Sequence, residues 1–272
     1  MGRDTQKSET FANVGYAEYV SKVPAVTLAF WIIKILCTTI GETGGDAFTM
    51  SFLGETTGNA NPHGYLIGTG VFAVIFLIAV AIQIKASKFH PFLYWFTIIS
   101  TTTVGTTLAD YTTRSLGIGY TGGSTILLVC VIASLAIWKS VTGTIDIASV
   151  RTTRAEIFYW TTIMFSQTLG TALGDWFADT AELGYLGAAG VFGAGLLILV
   201  LLHFYTSVSR TILFWLAFIL SRPLGAVVGD FLDKPHDKGG LDLSRYVATA
   251  ILLVLIIGAI FIFPQKPAEE AH

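Results

Sequence analysis

The sequence has little charge and no concentrated run of basic residues. Only 12% of its 272 residues are charged, whereas 53% are hydrophobic. Soluble domains carry about 25% charged residues, so a chain with so few is typical of a protein that lies in a membrane. The small net charge of -2 and the lack of a basic run argue against nucleic acid as a partner.

The cysteines and histidines are too few and too scattered for the common soft-metal and redox sites. Cys37 and Cys130 both lie in apolar stretches, where we expect buried small side chains and no disulfide framework. None of the five histidines lies at helical spacing from another histidine or a cysteine, which argues against zinc or copper. We find no Ser/His or Cys/His arrangement, so we expect neither an enzyme nor a cofactor. A dyad of membrane aspartates stays open as a minor alternative.

Eight segments are apolar enough, and long enough, to cross a bilayer, which takes about 20 residues. They cover residues 23–46, 65–85, 91–112, 123–140, 155–176, 185–206, 210–231 and 246–264. The even-numbered segments are almost entirely apolar, while the odd-numbered ones become polar and glycine-rich toward their ends. The pattern predicts an all-α membrane protein with eight transmembrane helices, in which even helices face lipid and odd helices face protein or a cavity.

Basic residues between the segments predict the orientation. Lys85, Lys88, Lys139, Arg151, Arg154 and Arg210 follow the even segments, and the opposite loops are acidic or mixed. Because cytoplasmic loops are enriched in lysine and arginine, we expect both termini in the cytoplasm. We interpret residues 1–22 as an N-terminal tail, 23–264 as a single transmembrane domain and 265–272 as a C-terminal tail.

An internal repeat organises the odd segments. Each has a tryptophan, a glycine ten residues later and an aspartate fifteen residues later: Trp31/Gly41/Asp46, Trp95/Gly105/Asp110, Trp160/Gly170/Asp175 and Trp215/Gly225/Asp230. The repeats cover about 23–86, 87–141, 152–206 and 207–264. Since each unit crosses the membrane twice, all four share one orientation. We expect parallel repeats with an inner ring of odd helices and pseudo-fourfold or two-plus-two symmetry.

The tryptophans and glycines have simple structural interpretations. A tryptophan near the start of a membrane helix favours an interfacial anchor. Small residues at positions ten and fourteen after the tryptophan favour close helix packing. Local unwinding next to a bound ion is the alternative for the glycines.

A polar stripe follows positions seven, eleven and fifteen of each odd segment. We predict a cation pathway through Glu42, Asp46, Asp110, Asp175 and Asp230, lined by Thr38, Thr102, Gln167, Arg222 and Lys34. Ionisable groups at membrane depth commonly mark ion pathways or relays. Two structural alternatives stay open. The aspartates could cap helix ends, and Arg222 could pair with Glu42 or an aspartate to fix the helix register.

The four tandem units, each with its tryptophan and terminal Gly-Asp-like pair, resemble a bacterial family of multi-pass membrane-anchored proteins. That family is defined by a four-copy repeat of unknown function, and the resemblance covers about residues 23–264. It implies a protein of the bacterial cytoplasmic (inner) membrane and supplies no substrate.

Together, the stripe and the apolar segments predict a transporter or channel for a small cation. Oxygen ligands suit a proton or a hard divalent metal such as Mn or Mg. The alternative is a membrane sensor or anchor that transports nothing. The expected partners are the lipid bilayer and the cation, and a homo-oligomer is left open.

Overall fold

The computed structural model describes residues 21–55 and 63–268, and over these residues it is helical, with no β-strand beyond one isolated bridge between Pro24 and Pro267. Eight long helices are present, as the sequence predicts. The predicted tails fall largely at residues 1–20 and 269–272, which lie outside the described residues. The helices are α1 (Leu28–Asp46), α2 (Gly64–Lys85), α3 (Pro91–Asp110), α4 (Gly119–Thr142), α5 (Thr153–Asp175), α6 (Gly184–Tyr205), α7 (Arg210–Asp233) and α8 (Arg245–Ile262).

The four odd helices form a closed circuit. Helix α1 packs against α3 and α7, and α5 packs against the same two helices from the opposite side. Each even helix packs mainly against the odd helix of the next unit: α2 on α3, α4 on α5, α6 on α7, and α8 back on α1. The last unit therefore closes on the first, and every outer helix joins two consecutive repeats.

Composition separates the four outer helices from three of the four inner ones, α1, α3 and α5. Five helices (α2, α4, α6, α7 and α8) are long and apolar enough to cross a membrane, judged by length and composition. The outer helices expose many large apolar side chains, such as Val74, Leu77, Leu197 and Val254. Helices α1, α3 and α5 are less apolar than the other five. Their polar residues face the other inner helices.

One end of the inner ring is closed by aromatic side chains. In every unit, the residue before the tryptophan contacts the tryptophan of the next unit. The ring centroids lie 5.4 Å apart for Phe30–Trp95, 5.7 Å for Tyr94–Trp160, 6.1 Å for Tyr159–Trp215 and 5.8 Å for Phe214–Trp31. The Tyr94 and Tyr159 hydroxyls also share a hydrogen bond of 2.6 Å. The same contact, repeated around the circuit, closes this end of the ring.

The interfacial role predicted for the tryptophans is wrong for three of them. Trp95, Trp160 and Trp215 are at most 3% exposed, whereas an interfacial anchor needs an exposed ring. Trp95 donates a hydrogen bond to Gln265, and Trp215 donates one to the Ile145 carbonyl oxygen. Segments outside the long helices therefore cover Trp95 and Trp215. Of the four repeat tryptophans, Trp31 alone is partly exposed.

The position-ten glycines make room for side chains of the neighbouring inner helix, as predicted. A Cβ atom added to Gly41, Gly105, Gly170 or Gly225 would lie 2.4, 3.0, 2.5 and 2.5 Å from the Cβ atom of Thr102, Gln167, Arg222 and Thr38, respectively. Each of these partners is the position-seven residue of the next unit around the ring. The polar stripe of one helix thus packs against the small residues of the next.

Candidate functional site

All the predicted site residues lie inside the ring. Each is at most 3% exposed: Lys34, Thr38, Glu42, Asp46, Thr102, Asp110, Gln167, Asp175, Arg222 and Asp230. The repeat explains why they converge, because equivalent positions of four helices that run in one direction lie at the same level. Among the charged ones, the structure shows a central ion pair, a layer of aspartates, and Lys34 against Phe218.

Arg222 occupies the centre of the ring. Its Nη2 atom lies 2.9 Å from Glu42 Oε2, 2.6 Å from Thr106 Oγ1 and 2.5 Å from Thr171 Oγ1. One guanidinium on α7 therefore contacts α1, α3 and α5 at once. The sequence suggests either Glu42 or an aspartate as the partner of Arg222. The structure confirms the pairing with Glu42. The same contacts block the axis at this level.

The four aspartates are held in two pairs by two basic side chains. Lys234 contacts both Asp46 and Asp230, the latter at 3.0 Å. Arg114 lies 3.0 Å from Asp110 and 3.3 Å from Asp175. Because each basic residue joins two neighbouring inner helices, this layer follows a two-plus-two arrangement.

The helix-capping alternative for the aspartates is wrong. Asp46, Asp110 and Asp175 are each followed by a π-helical turn: Ala47–Phe52, Tyr111–Ser115 and Trp176–Thr180. None of the three side chains caps that turn. Asp230 lies inside α7. The helical path therefore continues past the aspartates, and their carboxylates point into the ring.

Arg114 and Lys234 were missed by the sequence reasoning, although the repeat carries a signal for them. Both lie nineteen residues after the tryptophan, in the second and fourth units, where the first and third units have Met50 and Asp179. Position nineteen is one helical turn beyond the aspartate, so it lies on the same face if the helix continues. The alternation of basic and non-basic residues indicates the two-plus-two pairing.

Three carboxylates form the one group in the described part of the chain with a geometry that could hold a metal ion. Glu42, Asp46 and Asp230 each offer an oxygen, and these oxygens lie within 4.8 Å of one another. Carboxylate oxygens of this kind suit a hard cation. Arg222 and Lys234 contact members of this trio, so a bound cation would compete with the protein's own basic groups. Asp110 and Asp175 lie outside the trio, with Arg114.

Lys34 and Gln167 take part in none of the ion pairs among the described residues. Lys34 Nζ lies 3.4 Å from Ser221 Oγ and 4.1 Å from the centre of the Phe218 ring, with no ion-pair partner among the residues that the structure describes. Neither side-chain amide atom of Gln167 has a hydrogen-bond partner within that part of the chain. These two residues line the ring as predicted, but they do not belong to the carboxylate trio.

These features define a class of protein, an all-helical chain of four tandem two-helix repeats around a buried polar ring. The chain matches the family described as a repeat of unknown function (DUF347) four times, over residues 29–89, 93–144, 158–209 and 213–263. It belongs to that family, which confirms the resemblance found in the sequence. Each match covers one inner helix and the outer helix that follows it. No curated protein and no solved structure matches the chain.

The lysine bridge gives a test of the aspartate layer. Replacing Lys234 by methionine is expected to lower the free energy of unfolding by about 3 kcal/mol, because Asp46 and Asp230 lose their shared cation while buried. Lys238→Met, at an exposed position four residues later, is the matched control and should change little. Thermal unfolding in detergent, followed by circular dichroism, measures both. Equal melting temperatures for the two variants would contradict the bridging role.

Proposed function

We propose that this chain is a multi-pass membrane protein that carries a small cation through its inner ring. In this proposal all eight helices cross the bilayer as four parallel repeats with pseudo-fourfold symmetry, reduced to two-plus-two at the aspartate layer. Both termini face the cytoplasm, and the membrane is the bacterial cytoplasmic membrane. The cation is a proton or a hard divalent metal.

The outer helices support the membrane placement. Their exposed surface is almost wholly apolar, and such a surface is costly in water at this extent. Helices α1, α3 and α5 fall below the apolar composition of the other five, but the outer helices surround them and their polar residues face inward. Polar residues of membrane helices characteristically face the bundle interior.

The carboxylate trio is the observation that supports cation transport. Three buried carboxylates within 4.8 Å of one another repel each other unless a cation lies between or beside them. In the described arrangement, Arg222 and Lys234 supply that positive charge. A substrate cation would replace them, so that the protein alternates between internal ion pairs and a bound ion.

The closed axis favours a carrier over an open channel. Arg222 closes the ring at its centre, and the aromatic side chains close it at the tryptophan end. Passage of an ion then requires a rearrangement of the inner helices. The same closure favours the second candidate, a sensor or anchor that transports nothing, since ion pairs alone would hold such a ring together.

Flux through purified protein in liposomes tests the proposal. We expect wild-type protein to move a proton, Mn²⁺ or Mg²⁺ across liposomes loaded with ion-sensitive dyes. Glu42→Gln should abolish the flux, because a neutral amide cannot exchange an ion pair with Arg222 for one with the bound cation. Glu182→Gln, in the exposed connection between α5 and α6, is the matched control and should transport normally.

The outcomes separate the two candidates. Loss of flux in Glu42→Gln alone supports the ion site within the ring. Flux that persists unchanged in Glu42→Gln removes Glu42 from the pathway. If folded wild-type protein moves no ion from a panel of mono- and divalent cations, the sensor or anchor function replaces transport.

A further inference from the structure

The four equivalent tryptophans differ in what covers them, and one is left open. Segments of the chain outside the long helices hydrogen-bond to Trp95 and Trp215, and Trp160 is buried to the same extent. Trp31 is partly exposed, and Leu28, one turn before it, is 77% exposed. The repeat therefore has one position at its tryptophan end that the described chain does not fill.

A groove lies at this open position. It is a cavity of about 420 Å³ between α1, α6 and α7, lined mainly by apolar side chains that include Trp31, Leu199 and Phe214. Its volume is within the roughly 300–1,000 Å³ of sites for small molecules. Because α6 is an outer helix, the groove faces the same surroundings as the exposed apolar surface of the protein.

The mouth of the groove carries charges of both signs. Arg210 at the start of α7, His203 near the end of α6 and Asp146 before the short helix Ile147–Ser149 all line it. These residues lie at helix ends, where the apolar surface of the helices gives way to polar groups. A purely anionic ligand would bring its charge toward Asp146, whereas a ligand with a phosphate and an ammonium group satisfies both Arg210 and Asp146.

We propose that this groove binds one phospholipid with an ethanolamine head group. An acyl chain fills the apolar groove beside Trp31, the phosphate contacts Arg210 and the primary ammonium contacts the Asp146 carboxylate. The site rests on the membrane placement proposed above, but it does not depend on cation transport. The lipid would cover Trp31, the one repeat tryptophan that the described chain leaves partly exposed.

Native mass spectrometry of the full chain in detergent tests the lipid site. The probes are phosphatidylethanolamine, phosphatidylcholine and phosphatidylglycerol with identical acyl chains. We expect one phosphatidylethanolamine molecule to bind about tenfold more tightly than either other lipid, since only its ammonium can donate to Asp146 while its phosphate accepts from Arg210. Arg210→Gln should weaken it about tenfold, and Asp146→Asn should reduce it to the level of phosphatidylcholine.

Matched variants separate the site from general effects. Arg154→Gln, an exposed arginine in the first turn of α5, should leave lipid binding unchanged. Asparagine can replace Asp146 as the cap of the following short helix, so Asp146→Asn should fold normally. Equal binding of the three lipids, or preference for phosphatidylglycerol, would overturn the proposal.

A variant that fills the groove tests a different occupant, residues 1–20 of the chain itself. Ala217→Trp should abolish retention of phosphatidylethanolamine. If lipid retention persists while hydrogen exchange increases in residues 1–20, the groove belongs to that segment and the lipid assignment is wrong.

Two further outcomes separate the lipid site from the proposed function. Lipid binding without ion flux would remove only the transport function. A chain that stays dissolved without detergent would remove the membrane placement and the lipid site together.

Discussion

Replacing Arg222 by methionine is expected to lower the free energy of unfolding by about 3–5 kcal/mol, the cost of leaving a buried charge without its partner. Glu42 is 3% exposed, and Arg222 is its ion-pair partner. Thr106 and Thr171 lose the same donor. The variant should therefore be among the least stable of this protein. Equilibrium unfolding in detergent, followed by circular dichroism, gives the free energy.

A double-mutant cycle distinguishes the ion pair from simple loss of packing. Glu42→Gln combined with Arg222→Met removes both charges, so much of the lost stability should return. Arg154→Met, at an exposed site, controls for the substitution itself. If the double variant is as unstable as the sum of the single variants, the two side chains do not stabilise each other as an ion pair.

The helices and the repeat could be predicted from the sequence because both depend on local pattern. Apolar length defines the outer helices, and the spacing of Trp31, Gly41 and Asp46 recurs in every unit. The inner helices follow from the same repeat, although α1, α3 and α5 are less apolar than the other five. Burial of the stripe was predictable too, since ionisable groups in the membrane helices that the sequence predicts would rarely face lipid.

Helix partners could not be predicted in the same way. The outer helices are almost uniformly apolar, so nothing in their composition distinguishes the inner helix of their own unit from that of the next. The structure places each on the next, and this choice carries the circuit from α8 back to α1. Similarly, the burial of Trp95 and Trp215 depends on Gln265 and Ile145, which are far away in the sequence.

The closed state of the ring also required the structure. A stripe of threonines can line a pore or bond within its own helices, and the sequence is compatible with both. The position of one long side chain decides between them, because Arg222 reaches Thr106 on the opposite inner helix. Arg114 and Lys234 lie beyond residues 112 and 231, where the predicted membrane segments end. The helical path continues instead, which places position nineteen above position fifteen.

The ring combines a repeated frame with unequal charges. Aromatic contacts and glycine contacts recur in all four units, so they set the frame. Glu42, Arg222 and Lys34 each occur in one unit only, and the basic residues at position nineteen occur in two. A frame with four equal positions can thus present one ion pair at its centre and two bridges at its end. The unequal charges thus place on the axis an ion pair between two units, Glu42 of the first and Arg222 of the fourth, whose counterparts in the other units are uncharged.

The frame itself depends most on the position-ten glycines, and Gly225→Ala is expected to cost about 3 kcal/mol of unfolding free energy or more. The added Cβ atom would lie 2.0 Å from Thr38 Oγ1 and 3.0 Å from the Thr38 carbonyl carbon. Since one of these atoms is backbone, α1 and α7 must separate, and overpacking without such a backbone contact already costs about 1–3 kcal/mol.

The control is Gly258→Ala in α8, where nothing lies within 4 Å of the added atom. That variant should be neutral, or stabilised by up to about 1 kcal/mol through helix propensity. Exchanging the two residues in Thr38→Gly/Gly225→Ala moves the larger side chain to the other helix and should restore much of the stability. Melting temperatures in detergent compare all the variants. If Gly225→Ala and Gly258→Ala melt alike, close contact between inner helices is not what holds the ring together, and the ion pairs at its centre and in the aspartate layer would have to carry that role.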